Sequence, residues 1–192
     1  MNQKQDRRVR RTKKLLLDGL IDLTKEKSIK DISVRELVDK VDINRSTFYL
    51  HYSDIYDMIE KIELELIEEF HQILNSKNVD NIFEEDFLSF IEAVFIVIKD
   101  NSNICYSLLS PNGDINFTNK IKSIIIERTN KALHSVLPET ISESELKYAT
   151  SFLVSGCVGL LETWLENNTI GEPKEMADTV YKLVHNCTLI YK

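Results

Sequence analysis

Residues that break helices are scarce in this sequence, and the few that occur are widely separated. The 192 residues include five glycines and three prolines. Between these breakers, apolar residues recur every three to four positions, as on the buried face of a helix. No segment alternates apolar and polar residues cleanly, as a half-buried strand would. We therefore predict an all-α fold with about nine helices.

The predicted helices begin and end at recognisable signals. Ser33 and Asn44 are suited to cap helix N-termini, and Pro173 is suited to a first helical position. The polar segment 75–80 has no apolar stripe and is predicted to be a linker. The helices are expected at about 9–27, 34–41, 45–52, 55–74, 84–100, 103–110, 115–136, 142–167 and 173–190.

Composition excludes several classes of protein. Apolar residues make up 43% of the chain, which suffices for a packed core and argues against general disorder. The apolar run 93–98 is far shorter than the roughly 20 residues that span a membrane. The charged N-terminus is not followed by a signal-peptide core. We therefore expect a cytoplasmic protein.

Chemically reactive residues form no recognised site. Cys105, Cys157 and Cys187 have no CxxC spacing and are best explained as small buried side chains. The four histidines lack the spacing of metal ligands, and the scattered glycines form no phosphate-binding loop. We expect no metal, no cofactor and no enzymatic activity.

Charge is distributed unevenly along the chain. The net charge is −7, but residues 1–60 carry +2 and residues 61–192 carry −9. Seven of the first fourteen residues are Lys or Arg, against a single Asp. A basic end attached to an acidic body is typical of a protein that binds a polyanion at that end, although a solubilising tail has the same composition.

Two short predicted helices joined by a tight turn lie between residues 33 and 52. Ser33 and Glu36 have the spacing of a capping box at the start of the first helix. Residues 42–44 form the turn, and the second helix begins with Arg45. This is the layout of a helix-turn-helix, whose second helix places its N-terminal side chains at base edges in the major groove. Similar helix pairs occur in proteins that bind no DNA, so the layout alone leaves the function open.

The residues within this layout carry a more specific signal. The stretch 32–52 is Ile-Ser-Val-Arg-Glu-Leu-Val-Asp-Lys-Val-Asp-Ile-Asn-Arg-Ser-Thr-Phe-Tyr-Leu-His-Tyr, and it ends in a Thr-Phe-Tyr-x-His-Tyr core. It resembles the DNA-binding domain of TetR-family transcriptional regulators. The resemblance is close over about residues 8–70 and only architectural beyond them. It implies a helix-turn-helix DNA-binding domain over residues 1–54 and a helical effector-binding and dimerisation domain over residues 55–192.

The resemblance also implies roles for individual side chains. Near the bases it implies Arg35, Arg45, Ser46 and Thr47; near the phosphates it implies Ser33, Thr47, Tyr49 and His51. Arginine can bind guanine through two hydrogen bonds, and Tyr and His can donate to phosphate oxygens. Two alternatives stay open: Tyr49 as a half-buried aromatic, and His51 as a C-terminal cap of its helix.

One position departs from the family pattern. Family members usually have a phosphate-binding lysine at the start of the fourth helix, and this chain has Ile55 there, followed by Tyr56. The amides at this helix start, near Ser53 and Asp54, can still bind phosphate, and Tyr56 can offer its hydroxyl. The basic N-terminal residues are another source of positive charge.

The resemblance implies dimerisation through the last two helices, here 142–167 and 173–190. Gly156 and Gly159 lie three residues apart and permit close helix approach. The candidate interface residues are Gly156, Leu160, Trp164, Val180, Leu183, Val184 and Cys187. The alternative is that this apolar stripe packs within the monomer.

Aromatic residues are frequent in the middle helices, where they could line an effector pocket. Tyr106 and Tyr148 could orient a ligand through their hydroxyls. The candidate pocket residues are Phe87, Phe90, Tyr106, Phe117, Tyr148 and Phe152, and Phe83 and Phe95 lie in the same stretch. Aromatics at helical spacing more often form an ordinary core, which is the alternative.

Together these features predict a TetR-like homodimeric regulator that binds an approximately palindromic operator. We expect a repressor rather than an activator, released from DNA by a small-molecule effector. The alternative is a co-regulator that keeps the fold but answers to a protein partner instead of a small ligand. A helical enzyme is the rival from another class, and the sequence offers it no paired acid and base or nucleophile at a meaningful spacing.

Overall fold

The computed structural model describes residues 3–76, 85–137 and 141–189, and these residues form helices and no strands. Their nine α-helices confirm the predicted all-α fold. None of them combines the length and the apolar character that crossing a lipid bilayer requires. The helices are α1 (Gln3–Thr24), α2 (Val34–Lys40), α3 (Arg45–Tyr49), α4 (Ile55–Ser76), α5 (Glu85–Asp100), α6 (Ser102–Leu109), α7 (Ile115–Val136), α8 (Glu143–Glu166) and α9 (Pro173–Leu189).

Two helices differ from their predicted extents by more than two residues at an end. Helix α1 begins at Gln3 and not near residue 9, because Gln, Lys and Arg are good helix formers and continue the helix through the basic segment. It ends three residues earlier than predicted, where the amides of Lys25 and Glu26 bond to carbonyls three residues back and tighten the last turn. Helix α3 ends at Tyr49 instead of residue 52. Residues 75 and 76 of the predicted linker belong to α4, and its residues 77–80 lie outside the described residues.

The chain divides into two compact units. The first comprises Met1–Leu66 and Asn103–Ile115, and the second comprises Ile67–Ser102 and Asn116–Lys192. Helix α4 runs without a break past residue 66. The functional division at residue 54 stays a prediction.

The core of the first unit is built from the apolar faces of α1 to α4. Leu16 and Leu20 of α1, Leu37 of α2, Phe48 of α3 and Met58 of α4 are all completely buried. Each helix therefore contributes at least one side chain removed from water, and each such side chain is worth about 1.5–3 kcal/mol of burial. The core fixes α3 through Phe48.

Residues 103–115 complete this first unit from a distant part of the sequence. The Thr24 hydroxyl at the end of α1 donates to the Ser107 hydroxyl of α6 at 3.0 Å. The Ile29 amide donates to the Asn112 carbonyl oxygen at 2.8 Å. Gly113 is required here, because a Cβ at this position would lie 2.1 Å from the Leu108 carbonyl oxygen. These bonds attach the turn after α6 to the end of α1.

The second unit is organised around the packing of α5 along α9. Trp164 of α8 is buried, and its ring meets Phe95 of α5 edge to face at a centroid distance of 5.2 Å. The Trp164 indole nitrogen donates to the Ile170 carbonyl oxygen at 3.0 Å, which satisfies its polar group. Asn130 of α7 accepts a hydrogen bond from the Thr150 hydroxyl at 2.6 Å.

Gly19 provides a test of the packing of α1 on α2. A Cβ at Gly19 would lie 2.3 Å from Val41 Cγ1, and overpacking of this kind costs about 1–3 kcal/mol. Removing a glycine from a helix returns about 1 kcal/mol at most, and the β-branched Val41 side chain is stiff at χ1. Gly19→Ala should therefore lower the thermal unfolding midpoint.

Gly159→Ala is the matched control for this substitution. No atom lies within 4 Å of a Cβ built at Gly159, so the variant should gain helix propensity without a clash. Its midpoint is expected to equal or exceed that of the wild type. A Gly19→Ala protein as stable as the control would contradict the close approach of α1 and α2.

Candidate nucleic-acid interface

Helix α2 starts at the predicted capping box. The Ser33 hydroxyl accepts from the Glu36 amide at 3.3 Å, and the Glu36 carboxylate accepts from the Ser33 amide at 3.0 Å. The same carboxylate pairs with Lys27, just beyond α1. Hydrogen bonds from Lys27 first and then from Ser33 lower the pKa of Glu36 from its usual 4.5 to about 2. The box therefore ties the start of α2 to the end of α1.

The turn between α2 and α3 is closed by its backbone. Asp42 has a φ of 53°, in the left-handed region, and the Ile43 amide donates to the Val38 carbonyl oxygen at 3.1 Å. This pairing is the Schellman ending of a helix, in which a left-handed residue reverses the chain. Asn44 then caps α3 as predicted, because its side-chain oxygen accepts from both the amide and the hydroxyl of Ser46 at 2.9 Å.

Helix α3 has one face in the core and one face in solvent. Phe48 is fully buried and Tyr52 is nearly so, with their ring centroids 5.6 Å apart. Arg45, Ser46, Tyr49 and Leu50 are exposed, and we call this set the reading face. Tyr49 is 56% exposed, so the alternative of a half-buried aromatic is not what the structure has. Leu50 was not among the residues predicted from the sequence, although its spacing of four from Ser46 could have identified it.

Other predicted contact residues lie outside the reading face. Arg35 is exposed on α2, where its Nε lies 3.6 Å from a carboxylate oxygen of Asp39 in an exposed pair that costs little to break. Thr47 and His51 are half-buried. Burial first, and the charge of Lys13 second, lower the pKa of His51. A neutral imidazole can still donate one N–H to a phosphate oxygen.

The start of α4 is occupied by acidic side chains. Asp54 accepts from the Asp57 amide at 2.8 Å, and Asp57 accepts from the Ser53 amide at 2.8 Å. The bond from Ser53 first, and the pairing with Lys61 second, lower the pKa of Asp57. Two of the amides expected to bind phosphate are therefore used within the chain.

The side chains at the first two positions of α4 point in different directions. Ile55 is buried in the core, whereas Tyr56 is exposed with its hydroxyl 3.5 Å from the Lys30 carbonyl oxygen. That distance is at the outer limit of a hydrogen bond. The Tyr56 hydroxyl can therefore turn to another acceptor at little cost.

The basic N-terminal segment is part of a helix. Arg7, Arg8, Arg10 and Arg11 are exposed along α1. Lys13 is engaged with Glu65 of α4 at 3.3 Å. The arginines therefore supply most of the available positive charge on this helix.

Comparison with known proteins identifies the family. A TetR family model, described as the transcriptional regulator C-terminal region, matches residues 85–186, which is more than half of the chain. The chain belongs to the TetR family of transcriptional regulators. The matched residues lie outside the helix-turn-helix, so the sequence resemblance there and the family match are separate observations.

Solved TetR-fold structures align with this chain over most of its length. A TetR transcriptional regulator from Streptococcus agalactiae has a TM-score of 0.61 and 19% identity, over 94% of this chain and 97% of that one. The fatty acid degradation regulator FadR from Bacillus halodurans has a TM-score of 0.63 and 9% identity, over 90% and 93%. The dihydroxyacetone kinase operon activator DhaS has a TM-score of 0.53 and 11% identity, over 94% and 98%. At these identities the alignments show the fold. Comparison with curated protein sequences gives no match.

The six aromatic residues predicted to line an effector pocket in this TetR-family chain occupy different environments. Phe87 and Phe90 are half-buried with ring centroids 6.5 Å apart, and Phe117 is buried. Tyr148 and Phe152 are 73% and 69% exposed on α8, and Tyr106 is exposed on α6 within the first unit. Phe83 lies outside the described residues. Three of the six are therefore exposed in the subunit, and the effector pocket stays a prediction.

The seven residues predicted for the dimer interface also divide into groups. Trp164, Val180 and Val184 are buried inside the second unit. Gly156 and Leu183 are exposed, and Leu160 and Cys187 are half-buried. The alternative of packing within the monomer therefore holds for the first group, because the subunit alone buries these side chains, with Trp164 packed on Phe95 of α5. Tyr148 and Phe152 precede Gly156 at intervals of four residues and lie on the same face of α8.

None of the three cysteines, all in the described part of the chain, forms a disulfide. Cys105 is fully buried in the first unit, and Cys157 and Cys187 are half-buried on α8 and α9. Burial, and to a smaller degree the neighbouring Cys187, raise the pKa of Cys157 to about 11. Such a thiol is a poor nucleophile at neutral pH. Among the described residues no cluster of three or more potential metal ligands occurs.

Glu36→Gln tests the electrostatic part of the capping box. With a folded-state pKa of about 2 against a usual 4.5, the charge of Glu36 stabilises the fold fully above about pH 4.5, and this contribution is lost as the pH falls through about 2. Glutamine can keep the capping geometry without the charge. We expect the thermal midpoint of the wild type to fall more steeply with acid than that of Glu36→Gln over this range.

Glu26→Gln is the matched control, because Glu26 is an exposed carboxylate just beyond α1. This variant should follow the acid profile of the wild type. Parallel profiles for the wild type and Glu36→Gln would show that the charge of Glu36 adds nothing to the stability of the fold.

Proposed function

We propose that this TetR-family regulator binds an approximately palindromic DNA operator as a cytoplasmic homodimer, with α3 of each subunit in the major groove. The observation that carries the proposal is the reading face: four exposed side chains on and directly after a short helix whose opposite side is anchored by the fully buried Phe48. TetR-family regulators bind DNA and act as dimers. Two such helices about 34–36 Å apart would contact half-sites one turn of DNA apart.

The proposed contacts follow from exposure and hydrogen-bonding capacity. Arg45 and Ser46 lie at the N-terminal end of α3, where side chains meet base edges, and Arg45 can bind guanine with two hydrogen bonds. Half-buried Thr47 and exposed Arg35 border the same edges. We assign phosphate contacts to Ser33, Tyr49, His51 and Tyr56. The Ser33 hydroxyl already donates to the Glu36 carboxylate and accepts from the Glu36 amide, so a bond to phosphate would replace its bond to the carboxylate.

The exposed arginines of α1 add charge to this interface. The start of α4 lacks the usual family lysine, and its carboxylates Asp54 and Asp57 bind two of the nearby amides. The negative charge of these two carboxylates would repel a DNA phosphate at this position. Positive charge from Arg7, Arg8, Arg10 and Arg11 offsets this deficit through long-range attraction to the DNA.

We propose that the dimer forms through the exposed face of α8 and α9. Tyr148, Phe152 and Gly156 give α8 an apolar stripe that ends at a glycine with open space above it, and Leu183 of α9 is exposed as well. Large exposed apolar side chains in a row are typical of an interface. Helices from a second subunit can approach closely at Gly156, because no side chain holds them apart.

For regulation we propose repression relieved by a small-molecule effector that favours a spacing of the two α3 helices unsuited to the operator. A second candidate is a co-regulator that answers to a protein partner. The observation favouring it is the exposure of Tyr106, Tyr148 and Phe152, which weakens the case for an aromatic pocket. The structural relatives include a protein named as an operon activator, so activation occurs on this fold and stays open for this chain.

Operator selection from randomised duplex DNA tests the DNA contact. The wild type should enrich a palindrome, because each subunit of the dimer contacts one half-site. Arg45→Ala should lose about 1–3 kcal/mol of affinity for that operator, as expected for a bidentate contact to a base. Tyr49→Ala should weaken binding to operator and to random DNA alike. Failure of the wild type to enrich any sequence would sink the proposal.

A promoter carrying the selected operator gives the sign of regulation. Expression of the protein should lower transcription from it, and increased transcription would identify an activator.

Arg128→Ala is the matched control for Arg45→Ala in the affinity measurement. It also removes one arginine, but from α7 in the second unit, so it should keep the operator affinity of the wild type.

Phe152→Glu tests the dimer. Phe152 is 69% exposed, so a glutamate there should leave the fold of the subunit intact while placing two charges in the proposed interface. We expect sedimentation equilibrium at micromolar concentration to give a dimer for the wild type and a monomer for the variant. Ile96→Glu introduces the same charge at an exposed position of α5 and should remain dimeric. A monomeric wild type would overturn the proposed dimer.

A further inference from the structure

Leu50 is the most exposed large apolar side chain in the described part of the chain, at 79%. Its φ of −71° and ψ of −20° continue the helical geometry beyond the end of α3. It therefore stands one helical turn after Ser46, on the reading face. Phe48 on the opposite side of α3 and Tyr52 shortly after the helix are both buried and supply the contacts with the core.

The reading face is short enough to bring Leu50 to the bases. From Arg45 to Leu50 the helix rises about 7.5 Å, whereas the major groove is about 12 Å wide and admits a whole helix. If the N-terminal side chains of α3 touch base edges, Leu50 enters the same groove. Its two neighbours on that face, Ser46 and Tyr49, can both form hydrogen bonds, and Leu50 cannot.

The chemistry of the base edges determines what such a side chain can select. Every base presents hydrogen-bond donors or acceptors in the major groove, and thymine alone adds an apolar group, the methyl at C5. Against a polar base edge, a leucine displaces water from donors and acceptors and offers them no hydrogen bond in return, which is unfavourable. Against the thymine methyl, it buries apolar surface on both sides.

We propose that Leu50 reads the C5 methyl group of a thymine, and so selects thymine at one position of each operator half-site. The inference rests on the proposed DNA-binding function and adds a base identity to it. Leu50 acts here as a specificity-determining residue rather than as part of the fold.

The test uses the operator obtained by selection. In one half-site, each thymine in turn is replaced by deoxyuridine, which removes only the methyl group, and affinity is measured by fluorescence anisotropy. The full-length wild type should lose about fourfold in affinity at one position, the factor that corresponds to one buried methyl group. Leu50→Ala should bind the thymine operator more weakly and should no longer distinguish thymine from deoxyuridine at that position.

Leu64→Ala is the matched control, because it truncates another exposed leucine, on α4 outside the reading face. It should retain the sensitivity of the wild type to the missing methyl. A wild type indifferent to every deoxyuridine, or a sensitivity that survives in Leu50→Ala, would overturn the inference while leaving DNA binding in place. Failure to select any operator would instead remove the DNA-binding function, and this inference with it.

Discussion

Helix α3 contains five residues, and a helix of that length does not persist by itself in water. It forms here because Phe48 is completely buried in the core of the first unit, and because Asn44 satisfies an amide at its start. The reading face exists only as the other side of this anchored helix. The orientation of the DNA contacts proposed for α3 therefore depends on the burial of one phenyl ring.

The elements before α3 restrict its position further. The capping box of Ser33 and Glu36, together with Lys27, fixes where α2 begins. The left-handed conformation of Asp42 and the bond between Ile43 and Val38 fix where α2 turns back. Residues 103–115 add hydrogen bonds to the end of α1 from far along the chain. A rigid first unit suits recognition, because little conformational entropy is left to lose on binding.

Two glycines in helices serve opposite purposes. Gly19 lies where α1 approaches α2 so closely that a methyl group would clash with Val41. Gly156 faces open space, so the subunit alone gives no reason for a residue that lowers helix propensity. A closely approaching helix of a second subunit supplies such a reason. Glycine therefore permits a close contact inside the subunit at position 19, and at position 156 it fits the contact that we propose with a second subunit.

Local signals were sufficient to predict much of the fold. The capping residues Ser33, Asn44 and Pro173 act within three or four positions of themselves, so the sequence predicted their helix starts and, with apolar periodicity, the all-α fold and the nine helices. The Thr-Phe-Tyr-x-His-Tyr core, a contiguous motif, was enough to indicate the family. The early start of α1 was missed, because a charged helical turn has no apolar stripe.

Only the tertiary structure decided which apolar residues the subunit buries. Trp164 and Phe152 are both large, aromatic and on α8, yet one is buried against Phe95 and the other is 69% exposed. Periodicity shows that a helix has an apolar face, but it does not say how much of that face a neighbouring helix covers. The same holds for Leu50, whose exposure depends on the direction in which Phe48 fixes α3. Helix starts depend on nearby residues, whereas burial depends on residues that the fold brings together from distant parts of the chain.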